Sequence, residues 1–352
     1  MAYNSPTVAV AVVILNWNGR RWLEQFLPSV LQNSPEAEVV VADNASSDDS
    51  VAFLREHFPQ VRLLPLAENY GFCEGYNQAL RQVEATYYVL LNSDVEVTPG
   101  WLSPLVDLLE QNPQIAACQP KIKSFHHRTH FEYAGAAGGF LDAYGFPFCR
   151  GRLFDTLEED RGQYDDVRPV FWATGACLFI RAQAFWEAGG LEPKFFAHME
   201  EIDLCWRLQN LGYQIYYQGH STVYHVGGGT LPKANPQKTY LNFRNGAALL
   251  YRNLAEEEVN KVLNARLVLD GVAAAQYFLK GEWKEVKAIY RAHRHFFADK
   301  PFWQQKRKEG PVKKRTSQLT GWSPQSVVWQ YFVKGKKEFS ALDVPDGTAL
   351  PA

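Results

Sequence analysis

Residues 87–95 read Tyr-Tyr-Val-Leu-Leu-Asn-Ser-Asp-Val. The first five leave no polar face, so the strand they form has to be buried on both sides. A strand covered on both faces belongs to an α/β fold, with helices on either side of a mostly parallel sheet. In open sheets of that kind, ligands sit just beyond the carboxyl ends of the strands. Asn92-Ser93-Asp94 stands at that place. A carboxylate there can hold a hard divalent cation, and the cation can hold a diphosphate. The plainer alternative is that Asp94 only caps a turn.

The flanking pattern extends the sheet. Residues 8–15 are aliphatic and β-branched and predict a buried strand. Leu23, Phe26, Leu27, Val30 and Leu31 then recur at helical spacing. Residues 38–42 and 61–66 predict two more strands, and Ser47 or Asp48 is the expected N-cap of the helix between them. Gly71 and Gly75 flank a turn into a helix at 77–83. Thr98-Pro99 reads as the start of the helix carrying Leu102, Leu105, Val106 and Leu109. Strand and helix alternating at this spacing predict right-handed crossovers in a parallel sheet.

Residues 121–168, rich in Gly, His, Asp and Arg, read as loops and short strands over the ligand face. An apolar strand is expected at 170–180, interrupted by Thr174-Gly175-Ala176, and a short helix at 183–188. A helix from Phe195 to Leu211 closes on Gly212, followed by a strand at 213–217 and a Gly-rich loop at 220–229 holding His225. Beyond 235 the strand signals stop, and 242–254, 262–279 and 283–297 are helical patterns. The chain therefore divides into an α/β catalytic domain, residues 1–235, and a helical C-terminal extension, residues 236–352.

Several function classes drop out early. A net charge of −2 gives no nucleic-acid signal. Asn16-Trp17-Asn18-Gly19 follows the first strand in place of a GxGxxG dinucleotide turn, and no P-loop is present. Five cysteines without a CxxC pair argue against a disulfide framework and for a reducing compartment. The N-terminal apolar run reads as a first strand and not a signal peptide, and no uncharged run approaches membrane-spanning length. The expected location is cytoplasmic, or peripheral on the cytoplasmic face of a membrane. Six cations lie in residues 306–315, near Phe302 and Trp303, and make the extension a candidate contact with anionic membrane. A solvated basic loop is the alternative.

Three further residue groups can carry chemistry. Asp43 ends the second strand and can accept from a pyrimidine N3–H or a ribose hydroxyl. Glu200, Glu201 and Asp203 crowd three carboxylates into four residues, where burial and mutual repulsion make a better general base. A solvated helix start, with Asp203 paired to Arg207, is the structural alternative. His225 can join Asp94 as a metal ligand if diphosphate oxygens fill the remaining positions, and Asn92 can add its amide oxygen or order a metal-bound water. His126, His127 and His130 have no carboxylate at zinc spacing and read as loop residues.

Taken in order, these segments resemble glycosyltransferase family 2, which has a GT-A fold. Val13-Ile14-Leu15-Asn16-Trp17-Asn18-Gly19 resembles the family's opening strand, and residues 41–48 its nucleotide-binding segment. Glu68-Asn69-Tyr70-Gly71-Phe72, with Gly75, Asn77 and Ala79, resembles its Asn-x-Gly-Phe turn. Leu91-Asn92-Ser93-Asp94 stands where the family has its DxD metal motif. Gly175-Ala176 with Phe196 to Arg207 resembles the acceptor and base region, and His225-Val226-Gly227-Gly228 the late metal-ligand loop. The tail is similar to that of bacterial rhamnosyltransferase-like members.

The resemblance implies inverting transfer from a nucleotide-sugar donor, UDP- or dTDP-linked, with Mg²⁺ or Mn²⁺. The acceptor would be a saccharide or a lipid-linked saccharide of cell-surface polysaccharide synthesis. Asn16, Asp43, Asn69, Gly71, Asn77, Asn92, Ser93, Asp94 and Gly175 would form the donor site. Asp94 and His225 would hold the metal, and Glu201 would be the base, with Glu200 and Asp203 orienting it or holding the acceptor. Two departures matter: Asn92 replaces the first acid of the metal motif, and Glu201 replaces the usual Asp, which leaves Glu200 and Asp203 as possible bases. A sugar nucleotidyltransferase and a non-catalytic nucleotide-sugar-binding module are the rival readings.

Overall fold

The computed structural model describes residues 8–227 and 235–344. Gly228, the last residue of the late metal-loop segment, lies outside them. The first third of the chain alternates as its apolar runs require: β1 (Val8–Asn16), α1 (Arg20–Asn33), β2 (Glu38–Asp43), α2 (Ser50–His57), β3 (Arg62–Pro65), α3 (Gly71–Leu80) and β4 (Ala85–Leu91). β1 sits between β2 and β4, parallel to both, and β3 extends the sheet beyond β2. Next come β5 (Val95–Val97), α4 (Ser103–Gln111) and β6 (Ile115–Ser124). A small antiparallel sheet follows, made of β7 (Gly139–Leu141), β8 (Pro147–Cys149), β9 (Arg152–Leu153) and β10 (Thr156–Leu157).

The main sheet is completed by β11 (Val167–Val170), β12 (Cys177–Arg181) and β13 (Gln214–His225), with α5 (Ala182–Glu187) and α6 (Glu200–Leu211) before the last strand. Its order is β11-β13-β6-β12-β4-β1-β2-β3, with β5 paired to β13. β6 and β13 are parallel, whereas β12 runs antiparallel between β4 and β6. The result is a mixed α/β fold around a mostly parallel sheet.

Burial follows the two-residue period of the strands. In β1, Val10, Val12 and Ile14 enter one core, and Ala11 and Val13 enter the other. In β4, Tyr87, Val89 and Leu91 alternate in the same way with Tyr88 and Leu90. Each such aliphatic side chain contributes about 1.5–3 kcal/mol by leaving water. Helices α7 (Pro236–Asn253), α8 (Glu256–Leu279), α9 (Trp283–Ala298) and α10 (Lys300–Glu309) form the helical C-terminal region. Leu250, Phe296 and Trp303 from these helices share one core cluster with Phe185 and Trp206. The five cysteines are all buried and unbridged.

Several local expectations are corrected. α3 begins at Gly71 and not near 77, because Gly71 at φ 73° turns the chain straight into the helix. Thr98 is not a cap: its hydroxyl donates to Thr222 O at 2.7 Å, and α4 starts at Ser103. Asp49 precedes α2, and Asp48 accepts from Ser50 N at 3.1 Å. β6 runs through residues 121–124, which read as loop because its inward Lys121 is polar; Lys121 is paired there with Asp160 and Asp165. The run at 170–180 splits into β11 and β12, which are not neighbours in the sheet. The strand after α6 continues to His225, with a register shift between Gln218 and Thr222, so His225 ends a strand and is not in a loop.

The basic stretch is also less available than its composition implies. Trp303 is fully buried against Phe195. Arg307 donates to Tyr251 O at 2.9 Å and pairs with Glu256 at 2.8 Å, and Arg315 pairs with Glu257 at 2.6 Å.

Candidate active site

Parallel pairing brings the carboxyl ends of β1, β2 and β4 side by side, with Asn16 opposite Asp43 and Ile14 opposite Leu91. Both polar residues are buried. Asn16 Nδ2 donates to Asp43 Oδ2 at 3.0 Å and to Ser46 Oγ at 3.2 Å. Ser46 donates its backbone N–H to Asp43 Oδ1 at 2.9 Å and its hydroxyl to Oδ2 at 2.7 Å. Asp43 thereby shapes the loop that follows it. Asn44 Nδ2 donates to Asn69 Oδ1 at 3.0 Å and to Gly71 O at 2.9 Å, which docks the Asn-x-Gly-Phe turn on the end of β2. A Cβ on Gly75 would fall 3.0 Å from Leu15 and 3.1 Å from Asn44, so a larger residue would make those side chains shift for α3 to stay this close. Asn77 turns inward: its amide donates to Leu191 O at 2.8 Å and accepts from Leu191 N at 3.0 Å.

β4 ends in a second polar group. Asn92 N donates to Ala176 O at 3.0 Å, and a Cβ on Gly19 would lie 3.7 Å from Ser93 Oγ, so this strand end faces the start of α1. Asp94 Oδ1 is 3.2 Å from His225 Nε2, and His225 Nδ1 is 3.0 Å from Glu132 Oε2. Burial raises the Asp94 carboxyl, but the hydrogen bond and charge of His225 outweigh it and leave it below its ordinary value. Burial lowers His225, but its hydrogen bonds to Asp94 and Glu132 push it up to about 10.

This arrangement fits a hard cation taking few protein ligands. Among the described residues no group of three or more His, Cys, Asp or Glu side chains is arranged to hold a metal ion. Asp94 and His225 nevertheless present an oxygen and a ring nitrogen to each other, and Glu132 accepts from the opposite ring nitrogen. Raised to about 10 between two carboxylates, His225 carries a proton on each ring nitrogen near neutral pH, so a cation would have to displace the Nε2 proton; Glu132, accepting from Nδ1–H, would then hold the ring in the ligating tautomer. Two protein ligands suffice when substrate phosphates fill the rest.

Across Gly175 lies the third group. A Cβ on Gly175 would be 3.8 Å from Glu201 Cβ and 3.9 Å from Phe72, so residues 174–176 separate the β4 end from the start of α6. The chain enters α6 through Phe196, His198 and Met199, at φ 68°, 67° and 73°. Such non-glycine conformations persist only where surroundings enforce them. Asn245 of α7 supplies that enforcement, donating to Phe195 O at 3.0 Å, Ala197 O at 2.9 Å and His198 O at 2.7 Å. His198 Nε2, Glu200 Oε2 and Glu201 Oε2 are buried with no hydrogen-bond partner among the described residues. Burial pushes Glu201 up to about 7 against the pull of nearby backbone N–H groups. Burial, and then the charge of Glu201, hold Glu200 well above the ordinary carboxylate range. Burial, with Lys238 nearby, lowers His198 to about 4.

Asp203 is placed differently from the two glutamates. It is fully buried, with Oδ2 accepting from Arg207 at 2.8 Å and Arg252 at 2.9 Å, and Oδ1 accepting from Asn253 at 2.8 Å. Asp203→Ala should lower stability by about 3–5 kcal/mol, because it removes the carboxylate that Arg207 and Arg252 share in the interior and leaves Arg252 only Glu192 as a charged partner. Urea denaturation checks this, and a change under about 1 kcal/mol would show the pair to be dispensable.

The sheet therefore gathers Asn16, Asp43, Asn69, Asn92, Ser93, Asp94, Gly175, Glu201 and His225 along one rim, while Asn77 and Asp203 turn into the framework. Sequence reasoning missed Glu132, Asn245 and His198. Glu132 lies 93 residues from His225, in a segment with no periodic pattern, so only tertiary contact reveals it.

The sequence model described as Glycosyl transferase family 2 matches residues 11–188, just over half of the 352 residues. An N-acetylglucosaminyl-diphospho-decaprenol L-rhamnosyltransferase of Mycobacterium tuberculosis is 28% identical over 235 residues, covering 62% of this chain and 76% of the relative. The fold is similar to that of GalNAc-T7 solved with UDP, GalNAc and Mn²⁺, at TM-score 0.55 and 16% identity. That alignment covers 72% of this chain and 49% of GalNAc-T7, so the chain spans about half the length of that protein. The mannosyltransferase PcManGT from Pyrobaculum calidifontis, in complex with GDP-Man and Mn²⁺, aligns at TM-score 0.51 and 15% identity, covering 84% of this chain and 92% of that one. At these identities the two solved structures speak to the fold.

Proposed function

The chain belongs to glycosyltransferase family 2, and we propose that it performs a metal-dependent, inverting transfer of a sugar from a UDP- or dTDP-linked donor to a saccharide or lipid-linked acceptor in cell-surface polysaccharide synthesis. That it is a glycosyltransferase of nucleotide sugars, working in glycan synthesis, follows from its family and relatives. The observation that carries the finer reading is the pair of stations on one rim. Asp94, His225 and Glu132 suit a cation and diphosphate, and Glu201 suits a proton acceptor, with residues 174–176 between them.

In this reading Asp43 accepts from the nucleoside, and Asn16 and Ser46 hold its carboxylate in place. Asp94 and His225 would hold the Mg²⁺ or Mn²⁺, and Glu132 would keep the imidazole in the ligating tautomer. When bound, the cation neutralises charge on the departing diphosphate as a Lewis acid. Glu201 takes the proton of the acceptor hydroxyl, whose oxygen attacks the anomeric carbon opposite the diphosphate, so the configuration inverts in one displacement. Glu200, whose carboxyl burial holds well above the ordinary carboxylate range, would orient Glu201 or hold the acceptor. We assign Asp203 the anchoring of α6 and not proton transfer. The name of the mycobacterial relative pairs rhamnosyl transfer with N-acetylglucosaminyl-diphospho-decaprenol, which supports a deoxyhexose and a lipid-linked acceptor here.

We also propose the division at position 235, with residues 1–235 catalytic and 236–352 an extension that lends Asn245, Arg252 and Asn253 to the catalytic part. No helix among the described residues is long and apolar enough to cross a membrane. A cytoplasmic site of action is part of the same proposal.

A thermal-shift panel of nucleotide sugars tests the reading. Saturation at about 100-fold over Kd adds about 2.7 kcal/mol, so one donor should raise Tm by several degrees, and more with Mn²⁺. The product should be a nucleoside diphosphate. Release of pyrophosphate would transfer the assignment to nucleotidyl transfer, and binding without turnover would make the chain a binding module.

A further inference from the structure

The helical region exposes an apolar and basic surface that no part of the proposed reaction uses. On α8, Val268, Val272, Ala275 and Leu279 recur at i, i+4, i+7 and i+11, so they share one helix face. All four are exposed, Val268 by 68% and Leu279 by 85%. On α9, Trp283, Lys287, Tyr290, Arg294 and Phe297 repeat the same spacing and are likewise exposed. At the turn joining the helices, half-exposed Phe278 and Trp283 meet edge to face at 4.5 Å, next to exposed Leu279. Gly281, at φ 76°, makes that turn.

We propose that the α8–α9 hairpin docks this protein on an anionic lipid surface. Charge supports that occupant: Lys280, Lys284, Lys287, Arg291 and Arg294 stand against only Glu282 and Glu285 over residues 280–294. Exposed lysines beside an exposed Trp and Leu suit a membrane interface, where long stems lie along acyl chains and ammonium groups reach lipid headgroups. Protein interfaces deplete lysine at their centre. A two-fold contact with a second copy would also bring the same net-positive patch to both sides of the interface. Residues 306–315 are the weaker lipid contact, since Arg307 and Arg315 are engaged within the chain. The hairpin would hold the enzyme at the surface where a lipid-linked acceptor resides, but docking itself needs neither donor nor metal.

Co-sedimentation of the full chain with phosphatidylglycerol–phosphatidylcholine vesicles, against pure phosphatidylcholine, tests the inference. Each cation near an anionic surface raises partitioning about fivefold, so Lys284→Glu/Lys287→Glu should cut binding on the order of tenfold or more. Leu279→Ser/Trp283→Ala should lower it as well, with Tm and the donor thermal shift unchanged in both variants. Equal binding to neutral vesicles, or none to anionic ones, overturns it. So does a concentration-dependent dimer in ultracentrifugation that the Leu279→Ser/Trp283→Ala variant abolishes. A donor shift that persists when vesicles fail to bind leaves the glycosyl-transfer reading standing.

Discussion

Glu201→Gln is expected to lower kcat for transfer by about 10²–10⁴-fold, the contribution of a positioned general base, while the donor still binds. The amide keeps the size and apolar packing of the side chain and removes its capacity to take a proton. Burial raises the Glu201 carboxyl to about 7, so wild-type turnover should climb with pH to near neutrality and then level off. The stability effect has the opposite sign. A carboxyl raised on folding contributes stability that is fully present below its unfolded value of about 4.5 and is lost as pH rises through its folded value. At pH 8 the wild type carries a buried carboxylate that the amide variant lacks, so the inactive variant should melt higher, and the gap should close by pH 5. Near-normal turnover in the variant would remove Glu201 as the base and leave Glu200 next in line.

Asp94→Ala should abolish the Mn²⁺-dependent part of donor affinity, measured by calorimetry with the nucleotide alone. Asn92 cannot take its place, because an amide oxygen carries no net charge to offset the cation. Glu132→Gln should be graded: it keeps both ligands and weakens their orientation, a loss of about 10–100-fold in metal affinity. Wild-type donor affinity that is the same with and without Mn²⁺ would remove the metal from this site.

The alternating first third of the fold was legible because β1 and β4 are apolar on both faces, and such runs have few other solutions. The positions of Asp43 and Asp94 were legible for a related reason, since they stand at the ends of β2 and β4, whereas Glu201 stood out by the density of acids around it. β6 was hidden because Lys121 and Gln119 lie buried in it, their polar groups answered by Asp160 and by backbone partners distant in sequence. The entry to α6 was misread as helix because Phe196, His198 and Met199 carry no glycine to announce a left-handed turn. The hydrogen bonds that enforce it come from Asn245, some 50 residues downstream. Glu132 and Asn245 both act through contacts between distant segments, which local periodicity does not encode.

The grip of α7 on Asp203 bears on how such enzymes can be recombined. Arg252 and Asn253 answer a carboxylate that sits on the other side of position 235, and Asn245 braces the turn ahead of the proposed base. A graft that exchanged the tail for one from a distant relative would have to carry an equivalent guanidinium and amide at the same helical positions. Otherwise Asp203 keeps only Arg207 of its own helix and loses the Arg252 and Asn253 contacts to its buried carboxylate. The tail and α6 are thus coupled through these side chains, and modular exchange at this junction has to preserve them.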